Sequence, residues 1–223
     1  MPSSEAVSFR KAVFDRIVRE KAVAVVRTNH PEHLVSLARA LLKGGVTCFE
    51  ITMTVPGALE GIHRVTQELG DAVLVGAGSI TDAETADRAI EAGARYIVSP
   101  VFKPEVIRAA HTRGAAAMPG CFTPTEVLAA YEAGADVVKV FPADILGMAF
   151  FKGILAPMPY LRLMPTGGVS LTNAVDWVRA GAVAVGVGRA LVDEQALATG
   201  DFARLTENAR TLCRSLHAVR SDT

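Results

Sequence analysis

Short apolar runs alternate with amphipathic segments along the whole chain, and a glycine-containing triplet separates them at four places. The triplets occupy positions 44–46, 92–94, 133–135 and 180–182, so they begin 48, 41 and 47 residues apart. Each follows a helix-like segment and precedes an apolar run rich in small and β-branched residues. Glycine just past a helix supplies the left-handed C-cap conformation, and such a run is typical of a buried parallel strand. The pattern predicts repeated helix–strand units.

Each gap between triplets is long enough for one further helix–strand unit. Eight candidate strands result, at 22–27, 47–53, 74–78, 95–100, 115–119, 136–142, 161–168 and 183–188. Capping boxes at 81–84 and 123–126 and the prolines Pro31 and Pro104 mark predicted helix starts. Eight alternating units predict an α/β protein, a single (β/α)8 TIM barrel over residues 1–223. Residues 1–20 are expected to form an extra N-terminal helix that closes the barrel.

A doubly wound open sheet is the alternative architecture. It would interrupt the alternation of strands and helices or carry a dinucleotide-binding fingerprint, and the sequence has neither feature. The glycine pairs at 76–78 and 186–188 are only GxG matches, which are too short to indicate a nucleotide site. The barrel is therefore the preferred prediction.

Composition narrows the classes of partner. The chain has 23 Lys+Arg and 23 Asp+Glu, and this zero net charge argues against a nucleic-acid-binding protein or one held at a membrane by basic residues. No apolar run approaches the roughly 18 residues that cross a bilayer, and charges crowd the first twenty positions, so neither a membrane span nor a secretory signal is expected. Three cysteines without CxxC spacing indicate reduced thiols in a cytoplasmic protein.

Lys139 is the first candidate catalytic residue, because it lies inside the apolar strand predicted at 136–142. Burying an ammonium group there is costly, whereas a neutral amine can attack a ketone and form a Schiff base. The alternative is a lysine whose stem follows the strand and whose charge reaches water.

Glu50 is the second candidate. Strand alternation places Cys48, Glu50 and Thr52 on one face, opposite the larger apolar residues that should meet the helices. A carboxylate that points into a barrel needs a partner, and a lysine on another inward-facing strand is a natural one. A purely structural ion pair is the alternative to a catalytic pair.

Two glycine-rich loops follow the seventh and eighth predicted strands. Gly167, Gly168 and Gly188 could present backbone N–H groups to an anion, with Arg189 adding a charge, at the usual phosphate position of such barrels. The alternatives are that the glycines only form tight turns and that Arg189 points outward and pairs with an acidic residue such as Asp193 or Glu194. No metal site is predicted, since Pro31 between the nearest histidine pair marks a helix start.

Several blocks in chain order match one family. They are 44–45 with 50–52, 75–79, 99–100, 119–120, 139–143, 165–168 and 186–188. Over about residues 10–215 the chain resembles bacterial aldolases that cleave 2-keto-3-deoxy-6-phosphogluconate (KDPG), many of which also act on 4-hydroxy-2-oxoglutarate (KHG). The resemblance implies a (β/α)8 barrel, a homotrimer, a small keto-acid or phosphosugar-acid substrate, and neither a metal nor a cofactor.

The same resemblance implies roles for individual residues. Lys139 takes the Schiff-base position and Glu50 that of the general acid–base. Some members place an arginine where this chain has Thr54, so Arg27 is expected to hold the substrate carboxylate, and many have serine where this chain has Arg189. The implied substrate-contact residues are Arg27, Thr52, Thr54, Ser79, Pro100, Phe141 and Thr166, and the implied phosphate-binding residues are Gly167, Gly168, Gly188 and Arg189.

The implied activity is a class I aldolase that releases pyruvate and glyceraldehyde 3-phosphate from KDPG, with KHG cleavage to pyruvate and glyoxylate as a second activity. Thr52 favours this gluconate branch, because relatives that act on the galactonate isomer usually have proline there. Three alternatives stay open: the galactonate branch, a non-covalent phosphosugar isomerase or epimerase, and a non-catalytic barrel that binds anionic metabolites.

Overall fold

Nine strands and ten α-helices alternate through residues 4–217, the part of the chain that the computed structural model describes. The strands are Ala22–Val26 (β1), Cys48–Thr52 (β2), Leu74–Gly78 (β3), Tyr96–Val98 (β4), Ala116–Met118 (β5), Gly120–Cys121 (β6), Val138–Val140 (β7), Leu163–Pro165 (β8) and Val185–Val187 (β9). The helices are Ser4–Glu20 (α1), Leu34–Lys43 (α2), Ala58–Leu69 (α3), Ala83–Glu91 (α4), Pro104–Thr112 (α5), Pro124–Glu132 (α6), Ala143–Leu155 (α7), Ala174–Arg179 (α8), Glu194–Ala198 (α9) and Phe202–His217 (α10). Within this part, no helix is long and apolar enough to cross a membrane.

The strands form a curled, wholly parallel arrangement. One sheet has the order β5-β4-β3-β2-β1-β9, and a second has the order β6-β7-β8. Sequence neighbours are thus spatial neighbours, without the reversal of order that a doubly wound sheet requires. The α/β fold with a parallel sheet is confirmed, and all eight predicted strand positions contain a strand.

Some local details differ from the sequence predictions. Pro119 alone separates β5 from β6, because proline has no N–H to donate to the ladder. The capping box predicted at 81–84 is wrong: Asp82 is the N-cap of α4, and its carboxylate accepts the Thr85 N–H at 2.7 Å. The capping box between Thr123 and Glu126 is confirmed, with Pro124 in the first turn.

The helix C-caps follow the predicted glycine chemistry. Gly45, Gly93, Gly134 and Gly181 have φ values of +101°, +116°, +94° and +105°. Residues with a Cβ rarely adopt this left-handed region. These four glycines therefore let the chain leave a helix and turn directly into the next strand.

Two apolar clusters divide the interior. The larger lies between strands and helices and contains Phe49 and Ile51. The smaller lies inside the curled sheet, where Cys48 and Tyr96 pack with Val13 and Ile17 of α1. Because Cys48 and Phe49 fall in different clusters, the predicted alternation of β2 is confirmed.

Asp136 anchors α1 beneath β7. Its carboxylate lies 3.4 Å from Arg10 Nε and 3.0 Å from His111 Nε2, and it accepts the Ala117 N–H at 2.8 Å. His111 thus has a hydrogen-bond partner that the sequence did not reveal. The contacts fix the start of the strand that carries Lys139.

Candidate active site

The predicted site residues lie on or just after the carboxyl-terminal ends of strands. Arg27 follows β1, Ser79 follows β3, Thr166 follows β8 and Gly188 follows β9. In parallel strands these ends meet on one side of the sheet, which is where such folds bind their ligands. The topology therefore gathers residues spread over more than half of the chain.

Glu50 and Lys139 meet across the interior. They belong to β2 and β7, strands that do not pair, and Lys139 Nζ lies 3.8 Å from Glu50 Oε1. Only 1% of Glu50 and 5% of Lys139 is exposed. The Phe141 ring centroid lies 5.0 Å from the same Nζ, within cation–π range. The inward-facing acid–lysine pair predicted from the sequence is confirmed.

The Glu50 side chain occupies space next to β3 that is open because residue 78 is a glycine. A Cβ added to Gly78 would overlap Glu50 Oε1 and lie 2.7 Å from both its Cγ and Cδ. Glu50 Oε2 is buried and has no hydrogen-bond partner among the described residues. One carboxylate oxygen therefore contacts the lysine, while the other is available to water or a ligand.

Thr52 ties the ends of β1 and β2 together. Its Oγ1 donates to the Val26 carbonyl at 3.1 Å and lies 2.7 Å from Thr54 Oγ1. Since the Thr52 proton goes to Val26, Thr54 is the donor of the second hydrogen bond. Thr52 is buried and Thr54 is exposed, and neither brings a positive charge to this part of the site.

Arg27 and Arg189 are the two cations predicted to hold anions, and both are exposed. Within residues 4–217, no hydrogen bond or ion pair joins either guanidinium to another side chain. Asp193, one partner considered for Arg189, instead pairs with Arg204 at 2.7 Å and accepts the Ala196 N–H at the start of α9.

Glu194, the other partner considered for Arg189, binds a different loop. Its Oε1 lies 3.2 Å from both Thr28 Oγ1 and the Asn29 N–H, which donate to it. This contact links the loop after β1 to the loop after β9. The suggested pairing of Arg189 with Asp193 or Glu194 is therefore wrong.

Thr166 is held by its main chain, and its side chain is uncommitted. Its N–H donates to the Val140 carbonyl at 3.0 Å, and its carbonyl accepts the Ala143 N–H at 2.9 Å. The residue is 7% exposed, and its Oγ1 is buried without a partner among the described residues. A hydroxyl in that position can hydrogen-bond to a ligand.

The loop after β8 turns through two left-handed glycines. Gly167 and Gly168 have φ of +99° and +69°, and in the described part of the chain neither N–H donates a hydrogen bond. Asn173 holds the loop, since it donates to the Gly168 carbonyl at 3.0 Å and accepts the Ser170 N–H at 2.8 Å. Two adjacent uncommitted amides suit an anion.

Ser79 and Pro100 follow neighbouring strands. Ser79 is half-buried and has φ of +61°, a left-handed conformation that costs a non-glycine residue about 1–2 kcal/mol and is frequent at functional positions. Pro100 packs closely against Gly120, where an added Cβ would overlap its carbonyl. No described hydrogen bond engages the Ser79 hydroxyl.

The buried thiols do not compete with Lys139 as nucleophiles. Burial raises the pKa of Cys48 and that of Cys121 to about 12, which keeps both protonated and unreactive near neutral pH. Sequence reasoning missed Tyr96, which is fully buried within the curled sheet. Its alternation with Val98 on an inner strand was the signal that could have identified it.

Comparison with known proteins gives a consistent result. A family model described as KDPG and KHG aldolase matches residues 13–208. The chain is 38% identical over 195 residues to the 2-dehydro-3-deoxy-phosphogluconate aldolase of Treponema pallidum, covering 87% of this chain and 92% of that protein. It is 37% identical over 170 residues to a probable 2-dehydro-3-deoxy-6-phosphogalactonate aldolase of Rhizobium meliloti, covering 76% and 80%.

One of the solved structures similar to this chain contains a covalent intermediate formed with pyruvate. The KDPG aldolase of Legionella pneumophila, with pyruvate captured at low pH as a covalent carbinolamine intermediate, superposes with a TM-score of 0.83 at 26% identity. The superposition covers 90% of this chain and 96% of that one. The similarity therefore extends over nearly the whole described fold.

Proposed function

The chain belongs to the KDPG and KHG aldolase family and is a lyase of the class I, Schiff-base type, and we propose that it cleaves KDPG (2-dehydro-3-deoxy-6-phosphogluconate) to pyruvate and glyceraldehyde 3-phosphate. The observation that carries the proposal is the buried contact between Lys139 Nζ and Glu50 Oε1 at 3.8 Å, beside the open ends of the strands. KHG, which lacks the phosphate, is the proposed second substrate and gives pyruvate and glyoxylate.

The reaction begins on Lys139. Its neutral amine attacks the C2 ketone, and Glu50 passes protons to and from the adduct as the carbinolamine loses water. The product is a protonated imine, which withdraws electrons from the neighbouring carbons. Two buried groups in contact, with the second carboxylate oxygen unpartnered, suit this exchange of protons.

Cleavage then removes the proton of the C4 hydroxyl. The electrons of the O–H bond form the aldehyde carbonyl, the C3–C4 bond breaks, and its electron pair forms an enamine with the imine carbon. Glyceraldehyde 3-phosphate leaves, Glu50 protonates C3 of the enamine, and water hydrolyses the imine to free pyruvate and the lysine amine. Glu50 acts as base in one half of the cycle and as acid in the other.

The rest of the site holds the two ends of the substrate. We assign the carboxylate to Arg27, since Thr54 carries no charge, and assign contacts near the reacting carbons to Thr52, Ser79, Pro100, Phe141 and Thr166. The phosphate is assigned to Gly167, Gly168, Gly188 and Arg189. Among residues 4–217 the amides of the glycine loop donate no hydrogen bond and the Arg189 guanidinium has no ion-pair partner, which supports this assignment.

The proposed architecture is a single closed (β/α)8 barrel domain with α1 across its base; residues 1–3 and 218–223 of the domain predicted over 1–223 lie outside the described residues. Only Pro119 separates β5 from β6, and a parallel bridge joins Thr166 to Gly186 between β8 and β9. Closure through these two junctions would unite the two sheets. The apolar side chains of Val13 and Ile17, buried inside the curled sheet, support the position of α1.

A homotrimer in the cytoplasm is the proposed physiological state. Val101, Phe122 and Ile145 are exposed apolar residues at 47%, 39% and 71%, and they follow the strands β4, β6 and β7. Exposed apolar side chains that cluster on a surface are typical of contacts between subunits, and we propose that these three residues belong to one such contact. Light scattering or mass photometry would measure the assembly.

Borohydride trapping with pyruvate tests the imine. The protein should gain the mass of a reduced pyruvate adduct, which peptide mapping should place on Lys139, and Lys139→Ala should gain none. Lys152→Ala, which changes an exposed lysine on α7, is the matched control and should trap normally. No adduct on the wild-type protein would favour an isomerase, an epimerase or a non-catalytic binding protein.

A comparison of substrates tests whether the protein acts on the gluconate or the galactonate isomer. Steady-state rates with KDPG, its galactonate isomer and KHG should rank KDPG first. A higher kcat/KM with the galactonate isomer would move the protein to that branch while leaving the imine chemistry intact.

A further inference from the structure

A fully buried phenol lies inside the curled sheet and has no role in the mechanism above. Tyr96 on β4 is 0% exposed and packs in the inner cluster with Cys48, Val98 and Met118. Its Oη has no hydrogen-bond partner among the described residues. Buried hydroxyl groups nearly always have a partner, either protein or water, so this one calls for an explanation.

Glu50 supplies the second unpartnered polar atom in the same interior. Its Oε1 contacts Lys139, but its Oε2 is buried without a hydrogen bond to any described residue. Glu50 and Tyr96 lie on β2 and β4, the two strands that flank β3, and both have Gly76 as their register partner. The two orphaned atoms therefore belong to side chains that face the same short segment of β3.

Two glycines leave that segment of β3 without side chains. A Cβ on Gly76 would overlap the Tyr96 ring, and a Cβ on Gly78 would overlap the Glu50 carboxylate. The phenol thus lies over one glycine and the carboxylate over the next glycine on the same face. The arrangement brings the two side chains toward each other over an uncovered strand.

The charges around Tyr96 make its phenol a hydrogen-bond donor. Burial raises the pKa of Tyr96 well above its usual range; the charge that Cys48 carries when it is ionised and the charge of Glu50 raise it further, against a smaller opposite effect of Arg16. Cys48, with a pKa of about 12, is a neutral thiol near pH 7. Glu50, whose charge acts on this phenol, is therefore the strong acceptor available to it, and Lys139 Nζ lies 3.8 Å from the other carboxylate oxygen.

We infer that Tyr96 is a positioning residue for Glu50, whose carboxylate oxygen Oε2 receives a hydrogen bond from the Tyr96 phenol through one buried water. The bond holds Oε1 against Lys139 and favours the ionised carboxylate, which must accept protons during the cycle. The inference rests on the proposed catalytic role of Glu50 and extends it to a residue that does not touch the substrate.

Tyr96→Phe tests this with little change of shape. Loss of a donor to the carboxylate disfavours its ionised form, so the acid limb of the kcat–pH profile should move to higher pH by about one unit. On that limb the rate should fall about tenfold, while KM stays within about twofold. Tyr131→Phe, which removes a phenol hydroxyl from α6, is the matched control and should keep the wild-type profile.

A second measurement should shift the acid limb of the kcat–pH profile to lower pH, and it does not depend on the Tyr96→Phe variant. The chain has three tyrosines, so 3-fluorotyrosine incorporated into a Tyr131→Phe, Tyr160→Phe background labels Tyr96 alone. The fluorinated phenol is more acidic and a stronger donor, so the acid limb should shift to lower pH than in the same background with ordinary tyrosine. A purely structural phenol, or one that contacts only Cys48, would shift neither profile, and that result overturns the inference.

Parallel assays of the wild-type protein distinguish failure of the Tyr96 assignment from failure of the proposed function. If it cleaves KDPG and traps pyruvate while both Tyr96 changes leave the acid limb in place, the proposed function stands and the assignment of Tyr96 is wrong. If the wild-type protein neither cleaves nor traps, the proposed function fails, and the assignment fails with it.

Discussion

Replacement of Gly78 by alanine should lower the rate of catalysis, although Gly78 lies on β3, a strand that contributes no catalytic side chain. The new Cβ would lie 2.7 Å from Glu50 Cγ and Cδ and would overlap Oε1. Ordinary van der Waals contact begins near 3.4 Å, so the carboxylate must retreat by roughly 0.7 Å or more. Gly78 itself has an ordinary strand conformation, which alanine can adopt.

The displacement sets the size of the effect. A misplacement of about 1 Å in a catalytic group can cost about 10²-fold in rate, so kcat for KDPG cleavage should fall by about that factor. The overlapping atoms include Cγ of a side chain that is 1% exposed, so overpacking should also lower the free energy of unfolding by about 1–3 kcal/mol. Stopped-flow or coupled assays measure kcat, and thermal melts measure stability.

Gly153→Ala is the matched control, because nothing lies within 4 Å of a Cβ added there, on α7. Its kcat should equal that of the wild type. A Gly78→Ala protein that melts normally and retains full kcat would refute the link between the bare strand and the carboxylate. An equal loss of kcat in both variants would point to a general effect of alanine instead.

Substitutions at four further residues test individual side chains. Glu50→Gln should keep the fold and lower kcat by roughly 10²–10⁴-fold, because the amide keeps the shape but cannot transfer the proton; near-normal turnover would leave Glu50 a structural partner. Arg27→Ala should weaken pyruvate binding, measured by calorimetry, by about one to two decades, and Arg27→Lys should recover part of it, since the ammonium keeps the charge but loses the planar fork. Arg189→Ser should lower kcat/KM about 10–100-fold for KDPG and leave KHG cleavage unchanged; equal effects on both substrates would exclude a phosphate contact. Thr123→Ala should lower the free energy of unfolding by about 1 kcal/mol in urea melts, because it removes the reciprocal cap with Glu126.

The regular features of the fold could be predicted because they are local. The glycines at 45, 93, 134 and 181 mark the ends of helices, and the runs that follow them are strands in the structure. Alternation along β2 was sufficient to place Glu50 inside and Phe49 outside, since a strand has a side-chain period of two. The contact between Glu50 and Lys139 followed from the high cost of burying either charge alone.

Features that depend on distant partners could not be predicted. Glu194 lies 166 positions from Thr28, and only the folded arrangement of the loops after β1 and β9 brings its carboxylate to that hydroxyl. The contact of Asp136 with His111 likewise depends on how α5 and β7 stack. Even a local cap was misplaced by one residue, because Thr81 and Asp82 can each serve and the backbone selects Asp82.

The absence of side chains on this face of β3 also constrains which substitutions related sequences can carry. The Tyr96 ring fills the space that a side chain at position 76 would need. A mutation at either position therefore changes which residues the other position can accept. Related sequences that carry a side chain at the position of Gly76 should have a residue smaller than tyrosine at the position of Tyr96. The trace of this constraint is a correlated substitution across two neighbouring strands, which a survey of each position by itself would not detect.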